Sequence, residues 1–361
     1  MQRLAALMVG LSLAACFTKP PRPEDGISPT DDAPASSGVW LDGFSHRRLV
    51  EIDTGLTSTL TNVPIVVSMR SDSGLAAAAR SDGLDIVATL DGETLLPSEV
   101  ALYSDGGDLE MWVEIPELTP RSSFYVYYGG AATETASPWN PTKFAGVWHL
   151  SESTVSAPDS TKRTTLDSTG GVGHEVGIFG NARSFSGGSS LNGGDPPELA
   201  FGTESFSYSL WLNQSANGDP YDIVLYKGCA KPTEPGFCFL VGTEPWSPKL
   251  MDTAGQFADP EVAGGPVHDT WVYLAAVVDR PSTLRGYLGG VLQGTDTTVG
   301  TIGTMTTGQP FQISRPDIPF TGLVDEVRVY RGVLEADWIE LEHRMGTSSG
   351  FSTVSAEESV P

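Results

Sequence analysis

The stretch Gly-Leu-Val-Asp-Glu-Val-Arg-Val-Tyr, residues 322–330, commits the end of the chain to β structure. Leu323, Val324, Val327 and Val329 make a β-branched, apolar run, the wording of a strand. Gly332 ends it. From Glu335 to Met345 the period changes: Trp338, Ile339, Leu341 and Met345 recur at helical spacing among acids. Asp325 and Glu326 are neighbours in the strand, so strict alternation sends their side chains to opposite faces.

The bulk composition agrees with a turn-rich, all-β protein. The 361 residues include 41 Gly and 26 Pro, and only 18% are charged. Length allows two domains, or one large domain with a tail. The formal net charge of -24 repels phosphate backbones, which argues against a nucleic-acid partner. Such acidity serves solubility outside a cell or a function such as calcium binding.

The first sixteen residues are not part of a fold. Arg3 gives a positive start, residues 4–13 an apolar core, and Leu13-Ala14-Ala15-Cys16 the end. The apolar run is too short to stay in a bilayer as a helix. Leu-Ala-Ala-Cys resembles a bacterial lipobox. That resemblance implies cleavage before Cys16, lipidation of its sulfur, and a place in the cell envelope. Phe17, rather than Asp, after the cysteine favours the outer membrane. The competing reading is an ordinary signal peptide with a chance cysteine. Residues 17–39 carry Pro20, Pro21, Pro23, Pro29 and Pro34 among polar residues and read as a tether. In polyproline form, some twenty residues would reach roughly 60–70 Å from the lipid.

Residues 40–135 read as a first β-sandwich. Short apolar stretches such as 48–52, 63–69, 85–90, 111–116 and 123–129 are separated by turn signals. Asp91-Gly92 predicts a hairpin to Leu95-Leu96. The alanine-rich 75–80 predicts a helical turn or two. The words Asp82-Gly83-Leu84-Asp85-Ile86, Met111-Trp112-Val113-Glu114-Ile115-Pro116 and Phe124-Tyr125-Val126-Tyr127-Tyr128-Gly129-Gly130 resemble the domain-of-unknown-function family numbered 2341. It brings no assigned activity.

After Ser137-Pro138-Trp139-Asn140-Pro141, which blocks regular structure, a second domain is expected over 143–346. In Phe206–Leu212, residues 206, 208, 210 and 212 share a face. Trp271–Asp279 is apolar on both faces and so belongs in a sheet interior. Residues 284–292 predict a hairpin about Gly289-Gly290, with Gly286 marking a bulge. These words and the terminal strand stand in the order of the laminin G-like, concanavalin A-like jelly roll, which they resemble. The fold class expected is therefore all-β, two β-sandwich domains, the second a concanavalin A-like jelly roll. Residues 347–361 are polar and expected to fray.

The resemblance implies a binding module, often for sugars. Glycosidases of this fold carry Glu-x-Asp-x-Glu on one strand, a same-face carboxylate pair. This sequence lacks that triplet, and no catalytic residue is assigned. His149 and His174 read as surface or strand positions. An even pair of cysteines in an exported chain, Cys229 and Cys238, reads as a disulfide, with two buried thiols as the alternative. Many laminin G-like jelly rolls hold a structural calcium, which here points to Asp167 in Asp-Ser-Thr-Gly and to Asp325. The alternative is that Asp167 closes a turn and Asp325 caps or pairs with Arg328. Trp246, between prolines 245 and 248, is either a loop platform for a sugar ring, aided by Tyr221, Asp222 and Asp252, or a ring folded back over the sandwich. The function expected is a surface lipoprotein that binds a carbohydrate or a neighbouring envelope or extracellular protein. A structural assembly subunit and a polysaccharide-acting enzyme are its rivals.

Overall fold

The computed structural model describes residues 39–216, 221–242, 245–262, 267–306 and 308–360. Cys16 and the leader and tether around it lie outside the described residues.

The first part of the chain forms β1 (His46–Asp53), β2 (Leu60–Met69), α1 (Ser73–Ala78), β3 (Val87–Thr89), β4 (Ser98–Tyr103), β5 (Leu109–Leu118) and β6 (Arg121–Tyr128). The helical turn starts where Asp72 caps it, accepting the amides of Gly74 and Leu75. A bridge between Thr89 and Leu95 closes the turn at Asp91-Gly92. Strands β2, β5 and β4 make one antiparallel sheet, while β1, β6 and β3 make another. Alternation places Val50, Ile52, Phe124 and Val126 on the inner face of the second sheet, against Val63, Ile65, Val67, Met111 and Val113 of the first.

The rest forms β7 (Phe144–Trp148), β8 (Asp167–Thr169), β9 (Gly173–Val176), β10 (Asn181–Phe185), β11 (Ser190–Asn192), β12 (Phe206–Gln214), β13 (Asp222–Lys227), β14 (Gly236–Val241), β15 (Ser247–Met251), β16 (Phe257–Ala258), β17 (Trp271–Asp279), β18 (Thr283–Leu288), β19 (Val291–Asp296), β20 (Gln312–Ile313) and β21 (Gly322–Arg331). Helix α2 (Ala336–Thr347) and the short β22 (Ser352–Val354) and β23 (Glu358–Ser359) close the chain. Among the described residues two sheets result. One runs β19-β18-β17-β12-β21-β10-β9, with β7 also on β21, and the other β16-β15-β14-β13-β20-β11-β8. Their inner faces bury Phe206, Tyr208, Leu210 and Leu212 against Val224, Leu225, Phe237 and Phe239 in one core. Strand β17 lies inside its sheet, between β12 and β18. Gly289 and Gly290 take φ of 58° and 77° in the β18–β19 hairpin, a conformation open to glycine, and the register slips beside Gly286.

Three expectations fail here. Residues 352–354 and 358–359 do not fray: β22 and β23 pair with β1, so the end of the chain completes the first sheet. Local polarity hid this, because the pairing spans some three hundred residues of sequence. Asp325 and Glu326 do not face opposite ways. A bulge falls between the Arg328 and Asp325 pairings with β12, and Glu326 has φ 49°. Val324, Val327 and Val329 stay in the core, so both carboxylates turn to the outer face of the β21 sheet. His149 is neither a surface nor an ordinary strand position but a buried member of a charge network.

That outer face is covered by the first sandwich and by α2. Trp211, Tyr273, Val277 and Tyr330 share one apolar cluster with Val66 and Trp112, on the other face of the β2–β5–β4 sheet, and with Trp338, Ile339 and Leu341 of the helix. At its centre the carboxylate of Glu342 is fully buried. It accepts Arg328 Nη1 at 2.9 Å, Trp338 Nε1 at 3.1 Å, Tyr273 OH at 2.6 Å, Ser209 OH at 3.1 Å and the Tyr330 hydroxyl. Burial opposes its charge, but Arg328 and these donors more than offset it and hold the carboxyl below its usual range. Arg328 also donates to Glu326 at 2.7 Å and lies over the Trp112 ring at 4.3 Å. Glu326 meets His149 Nδ1 at 2.8 Å, and Nε2 of the same ring stands 3.6 Å from Glu99 on β4. A chain of alternating charge thus crosses the seam, from α2 through β21 to the first sandwich.

Candidate functional site

With one sheet covered, the outer face of the β16–β8 sheet is the sheet face of this domain that the first sandwich leaves open. Cross-strand register decides which side chains share it. Asp167 lies opposite Asn192, Asn192 opposite Gln312, Gln312 opposite Tyr226, Tyr226 opposite Cys238, and Cys238 opposite Lys249. The alternate residues, Leu191, Ile313, Leu225, Phe239 and Leu250, fill the core. A row of hydrogen-bonding groups therefore crosses five of the strands and is interrupted by the disulfide of Cys229 and Cys238.

The middle of the row is capped. Arg315 lies over the Tyr226 ring at 4.4 Å. Its guanidinium grips Glu234 at 2.6 and 3.3 Å and donates to Asp317 at 2.9 Å. Burial works against the charge on Glu234, but the Arg315 and Tyr226 hydrogen bonds outweigh it and lower its pKa. Burial and the bond to Glu234 push the Tyr226 hydroxyl up, so it stays a donor at neutral pH. Two open stretches remain. At one end Lys249 reaches over the ring of Phe257 at 4.5 Å, and Phe257 is exposed. At the other stand Asp167 and Asn192; the chain next to them, at Thr165 and Gly193, borders a cleft of about 510 Å³ that is also lined by Arg163, Thr164, Asp195, Pro196, Pro197 and Glu198.

The structure redistributes the residues singled out from sequence. Trp246 is wholly buried. Its ring joins the jelly-roll core, and its carbonyl accepts the Val262 amide at 2.6 Å. The folded-back reading is the correct one: a large apolar ring gains more from burial than a tether between prolines costs. Asp222 lies opposite Val241, pointing inward and buried. Asp252 is a buried turn carboxylate, accepting the amides of Ala254, Gln256 and Gly303 at 2.7–2.9 Å. Burial raises its pKa, but these amides outweigh that and lower it. Of the four, Tyr221 alone is exposed, at 62%.

Asp167 and Asp325 cannot share an ion. Asp167 is exposed on the outer face of one sheet, and Asp325 is buried on the outer face of the other, with the core between them. Asp325 instead accepts the amides of Ile178 and Phe179 at 2.7 and 3.1 Å. Burial, and then the charge of Glu326, raise its pKa well above the carboxylate range. Among the described residues no group of three His, Cys, Asp or Glu is arranged to hold a metal ion.

Sequence reasoning missed Arg315 with Glu234, and the cleft with Asp195 and Glu198. It also missed the seam network. A signal for the last was present: Asp325, Glu326 and Arg328 put three charges in a strand otherwise worded for a core.

Residues 185–340 match the profile of the concanavalin A-like lectin/glucanases superfamily. No curated protein matches the sequence. Among solved structures, the binding domain of Paraclostridial Mosquitocidal Protein 1 is 12% identical, with a TM-score of 0.48, over 56% of this chain and 52% of that one. Domain 4 of AbnA, an extracellular arabinanase from Geobacillus stearothermophilus in complex with arabinotriose, is 21% identical, with a TM-score of 0.45, over 55% of this chain and 97% of that one. The binding domain of botulinum neurotoxin DC in complex with SialylT is 12% identical, with a TM-score of 0.46, over 58% and 52%. The chain spans about half the length of the toxin binding domains it matches. The sheet order and the two inner faces agree with that match: this part of the chain has the concanavalin A-like jelly-roll fold.

Proposed function

We propose that this protein binds carbohydrate, without cleaving it, through the outer face of the β16–β8 sheet. The observation that carries this reading is the in-register row Asp167, Asn192, Gln312, Tyr226 and Lys249 on the face that the first sandwich leaves uncovered, open at its two ends, Asp167 with Asn192 and Lys249 beside Phe257, while Gln312 and Tyr226 are buried between them. Polar groups fixed on strands suit the many hydroxyls of a sugar chain, because neither side must be reordered on contact. A retaining or inverting glycosidase pairs a protonated with an ionised carboxyl at the sugar. Asp325 has the raised pKa such an acid needs, but it is sealed beneath the first sandwich. A panel of glucan, mannan, arabinan and chito-oligosaccharides, titrated against the whole protein and then assayed for new reducing ends, tests both halves. Saturable binding with no release of ends is expected. No binding to any member, or release of ends, contradicts the reading.

The lipobox wording of residues 13–16 supports placement in the envelope, lipidated at Cys16 and facing outward from the outer membrane. Cys16→Ala is expected to move the protein from the detergent phase to the aqueous phase. Equal partitioning of mutant and wild type would sink the anchor.

A second reading has an observation of its own. A cleft of about 730 Å³ opens on the first sandwich, lined by Trp40, Leu41, Asp42, Gly43, Phe44, Arg47, Glu358, Ser359 and Val360. Its apolar wall suits a protein contact, as an envelope assembly subunit would need.

A further inference from the structure

The last strands of the chain sit on the first sandwich as a bound peptide would. β22 and β23 lie antiparallel along β1, with Ile52 opposite Ser352, Val50 opposite Val354 and Arg47 opposite Glu358. Phe351 is buried in the core, but residues 352–360 are exposed or half-buried. Backbone pairing and charge therefore hold them, with little apolar area. The amides of Ser355 and Val360 donate to the carbonyls of Leu49 and Ser45 at 2.8 and 3.0 Å. Adjacent acids use both faces of the strand. Glu358 accepts Arg47 Nε at 2.7 Å on one face; on the other, Glu357 accepts the Tyr128 hydroxyl at 2.6 Å and stands 4.0 Å from His46 Nε2.

The receiving side is fixed by groups outside that strand. Arg47 is 5% exposed, and its guanidinium lies over the rings of Trp40 and Tyr125 at 4.5 and 4.3 Å. Its Nη1 donates to the Val39 carbonyl at 2.9 Å and the Tyr127 hydroxyl at 3.0 Å, which aims Nε at the Glu358 carboxylate. Arg48 is tied to Asp72 at 2.9 Å. Three basic side chains in a row, 46–48, thus line a sheet edge in a chain of 45 acids against 21 lysines and arginines. Glu358, Ser359 and Val360 also wall the Trp40 cleft, so their departure opens it along β1. A chain end with so few buried contacts opens at low free energy, while Phe351 keeps its place. We propose that the β1 edge and the Trp40 cleft accept an extended acidic peptide of a partner protein, and that residues 352–360 occupy this site as an internal ligand. The partner segment adds a strand to β1 and sets two adjacent acids where Glu357 and Glu358 stand. This rests on the second reading above, to whose partner it gives a chemistry, and not on the carbohydrate one.

The test uses the whole protein and a fluorescent peptide of residues 352–360, read by anisotropy. Glu357→Gln together with Glu358→Gln loosens the internal strand and leaves every receiving group in place. That variant should bind the peptide about fivefold more tightly than wild type, because its site is open for a larger fraction of the time. A peptide with both acids changed to glutamine should bind the variant about tenfold more weakly, as its charge-assisted bonds are lost. This second comparison needs no further change to the protein, and melting curves confirm that the variant folds. Equal binding of the two peptides, or equal binding by wild type and variant, overturns the site. A wild-type dimer in gel filtration that the peptide disperses gives the site to a second copy and overturns the partner. If neither peptide binds, the acceptor site falls, while the apolar wall of the cleft and the second reading stand.

Discussion

Glu342→Ala is expected to destabilise the folded protein by about 3–5 kcal/mol, the scale for breaking one side of a buried ion pair. The substitution strips five donors of one acceptor. Arg328 would remain charged in the seam, opposed only by Glu326. Glu342→Gln keeps the shape but turns one oxygen into a donor facing other donors, so it should fall between wild type and alanine. Replacing Glu342 and Arg328 together with leucine should cost less than the sum of the single losses, since neither charge is then stranded. Denaturant unfolding measures each of these variants, the two single leucine replacements included. A loss under about 1 kcal/mol for Glu342→Ala would mean that the seam is not held by this carboxylate.

The second large effect is a pH dependence. Burial alone would lower the His149 pKa, but Glu326 and Glu99 outweigh it and push it up to about 10. An unfolded histidine titrates near about 6.5. The folded state therefore keeps a proton that the unfolded chain gives up. This stabilisation is fully present below pH about 6.5 and is lost as pH rises toward 10. Lys143, lying 3.0 Å from the centre of the Trp338 ring, is pulled down by burial to about 8. Its contribution has the opposite sign above that pH, because the unfolded chain then holds the extra proton. Buried Asp325, with its raised pKa, also favours the acid side. From pH about 6.5 until the lysine begins to titrate below 8, stability should fall from His149 alone with a slope that steepens from about 0.7 toward a limit of about 1.4 kcal/mol per pH unit. The ring signal lost in His149→Gln should stay in the imidazolium form throughout that window. Titration of that signal near pH 6.5 would contradict the network.

Much of the fold could be read from the chain. Alternation at 206–212 and the apolar runs at 271–279 and 322–330 marked strands that form over 206–214, 271–279 and 322–331, and Gly289-Gly290 and Gly286 marked a hairpin and a slip in register. These are local signals, set by alternation and by glycine's freedom. What could not be read depends on partners far away in sequence. Residues 352–354 look like a tail until β1 supplies the other half of a ladder. Trp246 looks like a loop platform until the core offers it a place. Asp325 and Glu326 obey alternation until one left-handed residue turns both to the same face. The polar row could be assembled only from register, because its members come from five strands, each contributing one residue without a motif. The disulfide was legible from the even pair and is formed.

Amide hydrogen exchange with and without the tightest-binding oligosaccharide of the panel reports where the ligand sits. Protection is expected in 163–169 and 192–198, the segments that build the Asp167 end of the row and its cleft. Protection confined to the first sandwich around Trp40, with none in those segments, would contradict the assignment of the binding face.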